Sequence, residues 1–241
     1  MSFGLSRGKQ LDISGFGVLH EDLPPLPDDL VHNPEAARID LRAWFDHPDR
    51  PFELEIGSGK GTFLAQQAVL QPDTNFLGIE YAGEFFRYAA DRIRRNDLAN
   101  VRMLHTDAAD FLRFRTPAAV ARVIHLYFPD PWPKKRHHKR RMVQDDFMRN
   151  AWRVLQPGGE LRVVTDHADY WAWMETHFDR WAVGPDRPGP DGTTGPRFLR
   201  TPFASPPSAR EGEVVGTNFE RKYIDEGRTF NAAVLKRVEP S

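Results

Sequence analysis

A strand that runs directly into a glycine-rich turn and on into a helix restricts a chain to few architectures, and residues 51–61, PFELEIGSGKG, are such a stretch. Phe52, Leu54 and Ile56 alternate with Glu53 and Glu55, the repeat of a strand. Gly57, Ser58, Gly59, Lys60 and Gly61 then predict a tight turn that opens a helix reaching about residue 70. Glycines at alternate positions let the backbone bend sharply and let a ligand approach main-chain amides gathered at the helix start. The alternation continues down the chain. Strands at 75–80, 101–105, 123–128 and 160–165 are interleaved with helices at 83–95, 110–113, 144–155 and 167–178. This predicts an α/β fold in which about seven mostly parallel strands carry helices on both faces. Residues 217–223 and 229–238, with Glu226 and Gly227 between them, read as a C-terminal antiparallel hairpin that completes the sheet.

With 241 residues, 40% of them hydrophobic, the chain can bury the core of a single domain over residues 34–241. Residues 1–33 contain Pro24, Pro25 and Pro27 and no sustained period, so an irregular or mobile arm is expected, with Arg7 and Lys9 in a solvated tail. Residues 34–45 read as a short helix with Asn33 as its cap and Pro34 at its first position. Residues 183–216, rich in Gly, Pro and Ser, are too long for an idle connector and are expected to form a mobile lid or a disordered insert. No run approaches the roughly 18 apolar residues of a membrane span, and no apolar signal core opens the chain. A soluble, cytoplasmic protein with no membrane partner is expected. The absence of cysteine excludes disulfides, thiolate zinc sites and cysteine nucleophiles. Histidines are present, but none in HExxH spacing, and His137 and His138 adjoin cations that would repel a metal, so no metal site is expected.

The second constraining stretch is residues 125–141, HLYFPDPWPKKRHHKRR. A buried strand ends at Pro129, and Pro129, Pro131 and Pro133 bias Phe128, Asp130 and Trp132 toward extended geometry in a stiff loop. Lys134, Lys135, Arg136, Lys139, Arg140 and Arg141 follow, in a chain whose net charge is only -1. Such a run suits either a nucleic-acid patch or a solvated helix start. Its place at the C-terminal edge of a strand favours a ligand site, because open α/β sheets bind their ligands there.

Glycine spacing separates the first stretch from the nicotinamide fingerprint G-x-G-x-x-G, and no Walker lysine–serine pair follows. With Glu55 just ahead of the glycines, it resembles motif I of class I S-adenosylmethionine-dependent methyltransferases. Glu80, at the tip of the second strand, suits two ribose hydroxyls or a helix N-terminus. Asp107, after the third, suits an adenine amino group or the cap of a short helix. Taken with FPDPWPKKRHHKRR and with TNFE at 217–220, these residues are similar to the bacterial tRNA (guanine-N7-)-methyltransferase family over about residues 51–237.

That resemblance implies a Rossmann-like class I methyltransferase that moves a methyl group from S-adenosylmethionine to N7 of a guanine in tRNA, at position 46, forming 7-methylguanosine. It implies donor-site roles for Glu55, Gly57, Gly59, Gly61, Glu80, Asp107 and Asp130, with Asp130 also catalytic. Lys134, Asp166, Thr217, Asn218, Phe219 and Glu220 are implied as substrate contacts. Arg136, His137, His138, Lys139, Arg140 and Arg141 are implied as RNA contacts, with tRNA as the partner of a monomer or homodimer. Two other readings stay open on sequence alone. An exocyclic-amine methyltransferase is one, since Asp130-Pro131-Trp132 is similar to the Asp-Pro-Pro-aromatic motif of that class, and a catalytically silent RNA-binding module is the other.

Overall fold

The computed structural model describes residues 11–30, 32–182, 192, 195 and 197–239, with every side chain among them except that of Asn218. Arg7, Lys9 and most of residues 183–196 therefore lie outside the described residues. In chain order the regular elements are β1 (Gly17–Leu19), β2 (Phe52–Ile56), α1 (Thr62–Leu70), β3 (Asn75–Glu80), α2 (Gly83–Arg95), β4 (Val101–His105) and α3 (Ala108–Asp110). There follow β5 (Ala121–Tyr127), α4 (Asp145–Val154), β6 (Leu155–Thr165), α5 (Ala168–Trp181), β7 (Phe198–Thr201), α6 (Asn218–Asp225) and β8 (Asn231–Arg237).

The strands form one sheet in the order β1-β4-β3-β2-β5-β6-β8-β7. Neighbours are parallel except that β8 runs antiparallel to both β6 and β7. The chain winds outward from β2 through β3 to β4, then restarts at β5 on the other side, so the strand order reverses between β2 and β5. That reversal opens a crevice at the C-terminal ends of those strands. Both faces are covered. Phe63, Leu64, Phe86, Ala89 and Ile93 of α1 and α2 pack on one face, and Phe147, Met148, Ala151, Tyr170, Met174 and Phe178 of α4 and α5 pack on the other.

The structure departs from the sequence reading in the N-terminal arm and near the C-terminus. Residues 17–19 of the supposedly irregular arm form β1, an eighth strand, paired in parallel with β4 through Gly17↔Met103. Gly17 admits this because a Cβ there would meet Ile13 Cβ and Phe86 Cζ at 3.0 Å. Residues 34–45 form not one helix but two single 3-10 turns, Pro34–Ala37 and Arg42–Trp44. Between them the Ile39 amide is drawn off to donate to the Arg115 carbonyl at 2.8 Å. Residues 217–223 are not a strand: Thr217 caps α6, its Oγ1 accepting from the Glu220 amide at 3.0 Å. The antiparallel neighbour of β8 on its side away from β6 is instead β7, which lies inside the segment expected to be a lid or disordered insert and buries Phe198 completely.

Candidate active site

A cleft of about 870 Å³ lies at the C-terminal ends of β2, β3, β4 and β5, the size range of small-molecule sites. Gly57 and Gly59 line it together with Glu80, Asp107, Tyr127, Phe128 and Asp130, and Trp132, Lys139 and Arg140 line it beyond Asp130. The two stretches singled out from the sequence therefore face one cavity.

On the glycine side, Gly57, Gly59 and Gly61 all adopt positive φ, of 74°, 54° and 65°, which explains their residue type. The turn is bound to β3, since Gly57 N donates to the Ile79 carbonyl at 2.8 Å. The Glu80 carboxylate accepts from Gly59 N at 2.7 Å and from Ala82 N at 2.8 Å, so it ties the first crossover to the second. Burial pushes its pKa up, the amides of Ala82 and Gly59 oppose that, and the charge of Asp130 adds to it. Glu55 is more extreme. It is 4% exposed, its Oε2 has no hydrogen-bond partner, and burial, opposed by Ser58 and reinforced by Glu80, raises its pKa to about 8. Glu55 does not itself line the cleft, whereas its neighbours Ile56 and Gly57 do. Asp107 lines the cleft and also caps α3, Oδ1 accepting from the amides of Ala109 and Asp110 at 2.8 and 3.1 Å, so the capping reading of it holds.

On the loop side, the expectation of extended geometry before each proline fails for two residues. Phe128 and Trp132 have φ of 53° and 42°, in the left-handed region, at a cost of roughly 1–3 kcal/mol each. Packing holds them there. The Phe128 ring lies 4.8 Å from Phe219 and 5.6 Å from Phe230, and the Trp132 ring lies 5.0 Å beneath the Arg140 guanidinium and 5.9 Å from His137. Asp130, between them, is exposed.

The basic run divides by exposure. Lys134, Lys135, Arg136, Lys139 and Arg140 are exposed, while His137 and His138 are half-buried. His137 Nε2 accepts from Arg136 Nε at 3.2 Å, and the His138 ring sits 5.7 Å from that of Trp173. Arg141 departs from the exposed run expected from the sequence: it borders the cleft but is only 1% exposed, its side chain enclosed by the protein.

The remaining expected substrate residues do not line the cleft. Asp166 accepts from Arg228 at 2.6 Å. Thr217 serves as the α6 cap, and Phe219, 38% exposed, packs behind the Asp130 loop on Phe128. Glu220 is fully buried, its carboxylate accepting from the amides of Val214, Val215 and Gly216, which commits it to structure and corrects its assignment as a substrate contact. The side chain of Asn218 lies outside the described residues.

Two features of the site went unread in the sequence. Gly78, in the middle of β3, lies so close under the turn that a Cβ there would be 2.6 Å from Ser58 Oγ and 2.4 Å from Leu64 Cδ1. A buried polar relay also links β2 to β5: His125 Nε2 lies 2.8 Å from Glu53 and its Nδ1 2.8 Å from the Tyr127 hydroxyl, with Arg122 paired to Glu53. Burial pushes the Glu53 carboxyl up, but His125 and Arg122 outweigh it and hold it below the ordinary range. Alternation of Glu53 and Glu55 with His125 and Tyr127 on paired strands was the signal that could have revealed the relay.

Comparison with known proteins agrees with this geometry. The methyltransferase family model Methyltransf_4 matches residues 49–183. A tRNA (guanine-N(7)-)-methyltransferase of Corynebacterium diphtheriae is 35% identical over 89% of this chain and 77% of its own length. One of Alkalilimnicola ehrlichii is 39% identical over 88% of this chain and 83% of its own. The chain belongs to the tRNA (guanine-N(7)-)-methyltransferase family. Its fold is also similar to the crystal structure of a 30S ribosomal A1408 methyltransferase from an uncultured bacterium, at 11% identity and a TM-score of 0.50, covering 89% of this chain and 96% of that one. In this member of the tRNA (guanine-N(7)-)-methyltransferase family, the donor side fits S-adenosylmethionine. Glu80 offers two carboxylate oxygens at the cleft where a ribose diol has two donors. Among the described residues no group of three or more His, Asp or Glu is placed to hold a metal ion, and no helix is long and apolar enough to cross a membrane.

Proposed function

We propose that this chain transfers the methyl group of S-adenosylmethionine to N7 of a guanine in tRNA, at position 46, and that it works in the cytoplasm, where tRNA is. One observation carries the reading: the glycine turn and Asp130 line a single cleft whose outer wall is Lys139 and Arg140. The names of its relatives supply the substrate class.

The bound donor supplies an electrophilic methyl on a sulfonium. N7 of guanine carries an unprotonated lone pair, so the protein need not remove a proton from the nucleophile, and catalysis reduces to placement and to stabilising charge. Glu80 holds the donor's ribose, Asp107 takes the adenine amino group through the oxygen not used in capping, and the turn from Gly57 to Gly61 admits the donor against the main chain. Asp130 stands exposed at the cleft, where its carboxylate favours a purine that is gaining positive charge or accepts from the guanine N1 and N2 donors. Lys139, Arg140 and the exposed Lys134, Lys135 and Arg136 hold phosphates, which gives affinity with little base specificity. Phe219 of α6 supports the loop through Phe128, and Asp166 is paired with Arg228.

The test is single-turnover methyl transfer at saturating tRNA with mapping of the product. D130N is expected to slow the step about 100-fold or more while tRNA still binds. An unchanged rate removes Asp130 from the chemistry. The product should be alkali-labile 7-methylguanosine; an alkali-stable N-methylated amine would overturn the assignment to N7.

A further inference from the structure

Arg140 and Arg141 are adjacent in sequence and both line the cleft, but only Arg140 is exposed. Arg140 lies over Trp132 on the cleft wall, exposed. Arg141 is buried between aromatic rings of α5, its guanidinium carbon 5.0 Å from the Tyr170 centroid and 5.4 Å from that of Trp173. Its Nε donates to the Pro131 carbonyl at 2.9 Å and its Nη2 pairs with Asp169. A cation enclosed and paired in this way cannot also serve a phosphate, since it would have to leave its partners and its aromatic stack.

The Pro131 carbonyl belongs to the residue after Asp130, and it lies between the two left-handed residues Phe128 and Trp132. Conformations of that kind persist only where the surroundings over-determine them. Phe219 and Phe230 fix the Phe128 end and Arg140 covers Trp132. The middle is held from α5, which also grips the following segment, as Tyr170 Oη accepts from Val143 N at 3.1 Å and Trp173 Nε1 donates to the Val143 carbonyl at 2.7 Å. We infer that Arg141 is a positioning residue: it latches the Pro131 carbonyl to α5 and so keeps Asp130 at the cleft. The inference rests on the reading of that cleft as the methyl-transfer site.

Two variants test it. R141K keeps the charge and loses the flat, forked group, and D169N cuts the anchor at a residue exposed enough to change without harming the core. Both are expected to fold. R141K should lower the single-turnover rate at saturating donor and tRNA roughly 10- to 100-fold, and D169N should lower it less. The donor Kd by calorimetry and the salt slope of tRNA binding should stay as in the wild type, whereas R140A should flatten that slope. Amide exchange in residues 128–134 should quicken in both variants while exchange in β2 and α1 does not change. A wild-type rate in R141K, unchanged exchange in 128–134, or a salt slope reduced as in R140A would each overturn the latch. Failure of the wild-type protein to methylate tRNA would overturn the proposed function instead, and the exchange measurement would still decide whether the latch exists.

Discussion

Glu55 is a carboxyl group held where its charged form is disfavoured, and this has a sign that can be measured. Its pKa lies at about 8 in the folded chain against an ordinary 4.5, because burial outweighs Ser58 and Glu80 adds to it. The native state therefore binds the extra proton, and between those values stability falls as pH rises. Removing the ionisable group in E55Q should abolish that part of the slope. Near pH 4 the two proteins should differ little from this cause, and by pH 8 the wild type should have lost up to a few kcal/mol relative to E55Q. Thermal unfolding across that range reads it, and parallel curves would show that the carboxyl is ionised and compensated. Residues such as Glu80, Asp107 and Asp130 were legible in the sequence because each stands at a strand end, and a strand end has a known place in such a sheet. Arg141 and Glu220 were not. Sequence shows that a charge exists and near what, but a cation at the end of a basic run looks the same whether it faces solvent or the rings of Tyr170 and Trp173.

The errors in the elements have equally definite causes. Residues 217–220, TNFE, fit the capping pattern in which a threonine is followed three places on by glutamate, and that pattern starts α6. The aromatic residues Phe219 and Tyr223 made the segment look like a strand, although they lie one helical turn apart with rings 4.4 Å from each other. The remaining partner of β8 was missed because β7 has only four residues, Phe198–Thr201, within a stretch rich in glycine and proline. By contrast β2, α1 and β3 were legible almost to the residue, since apolar strands bounded by glycine and acid leave little choice. Within that unit Gly78 sets the distance between strand and turn. The substitution G78A places a methyl 2.4 Å from Leu64 Cδ1, 2.6 Å from Ser58 Oγ and 2.7 Å from Met103 Sδ, all on the underside of the donor site. Overpacking of this kind costs about 1–3 kcal/mol, and the movable part is the turn. The expected result is a fold that persists with a lower melting temperature and a donor Kd raised roughly tenfold. An unchanged donor Kd would mean that Leu64 and Met103 absorb the strain and the turn does not move.

For the molecule as a whole the telling quantity is where charge sits, since the net charge is only -1. Most described arginines outside the loop are spent internally. Arg94 and Arg95 pair with Asp91, Arg200 with Glu175 and Asp179, and Arg153 donates to the carbonyls of Thr116 and Leu112. The exposed Lys134, Lys135, Arg136, Lys139 and Arg140 are concentrated beside the cleft, so a polyanion meets a local positive field on a nearly neutral protein. If three of these residues each neutralise one phosphate, replacing them in R136A/K139A/R140A should reduce the slope of log K against log salt by about 2 to 3, at roughly 0.7–0.9 per contact. Binding of tRNA should weaken most at low salt, and the curves of variant and wild type should converge as salt rises and screening removes the difference. Donor binding should be far less sensitive, because Glu80 and the glycine turn are left intact by these substitutions. A variant that loses tRNA affinity by the same factor at every salt concentration would show that these cations act through loop structure, and would place the phosphate contacts on another surface.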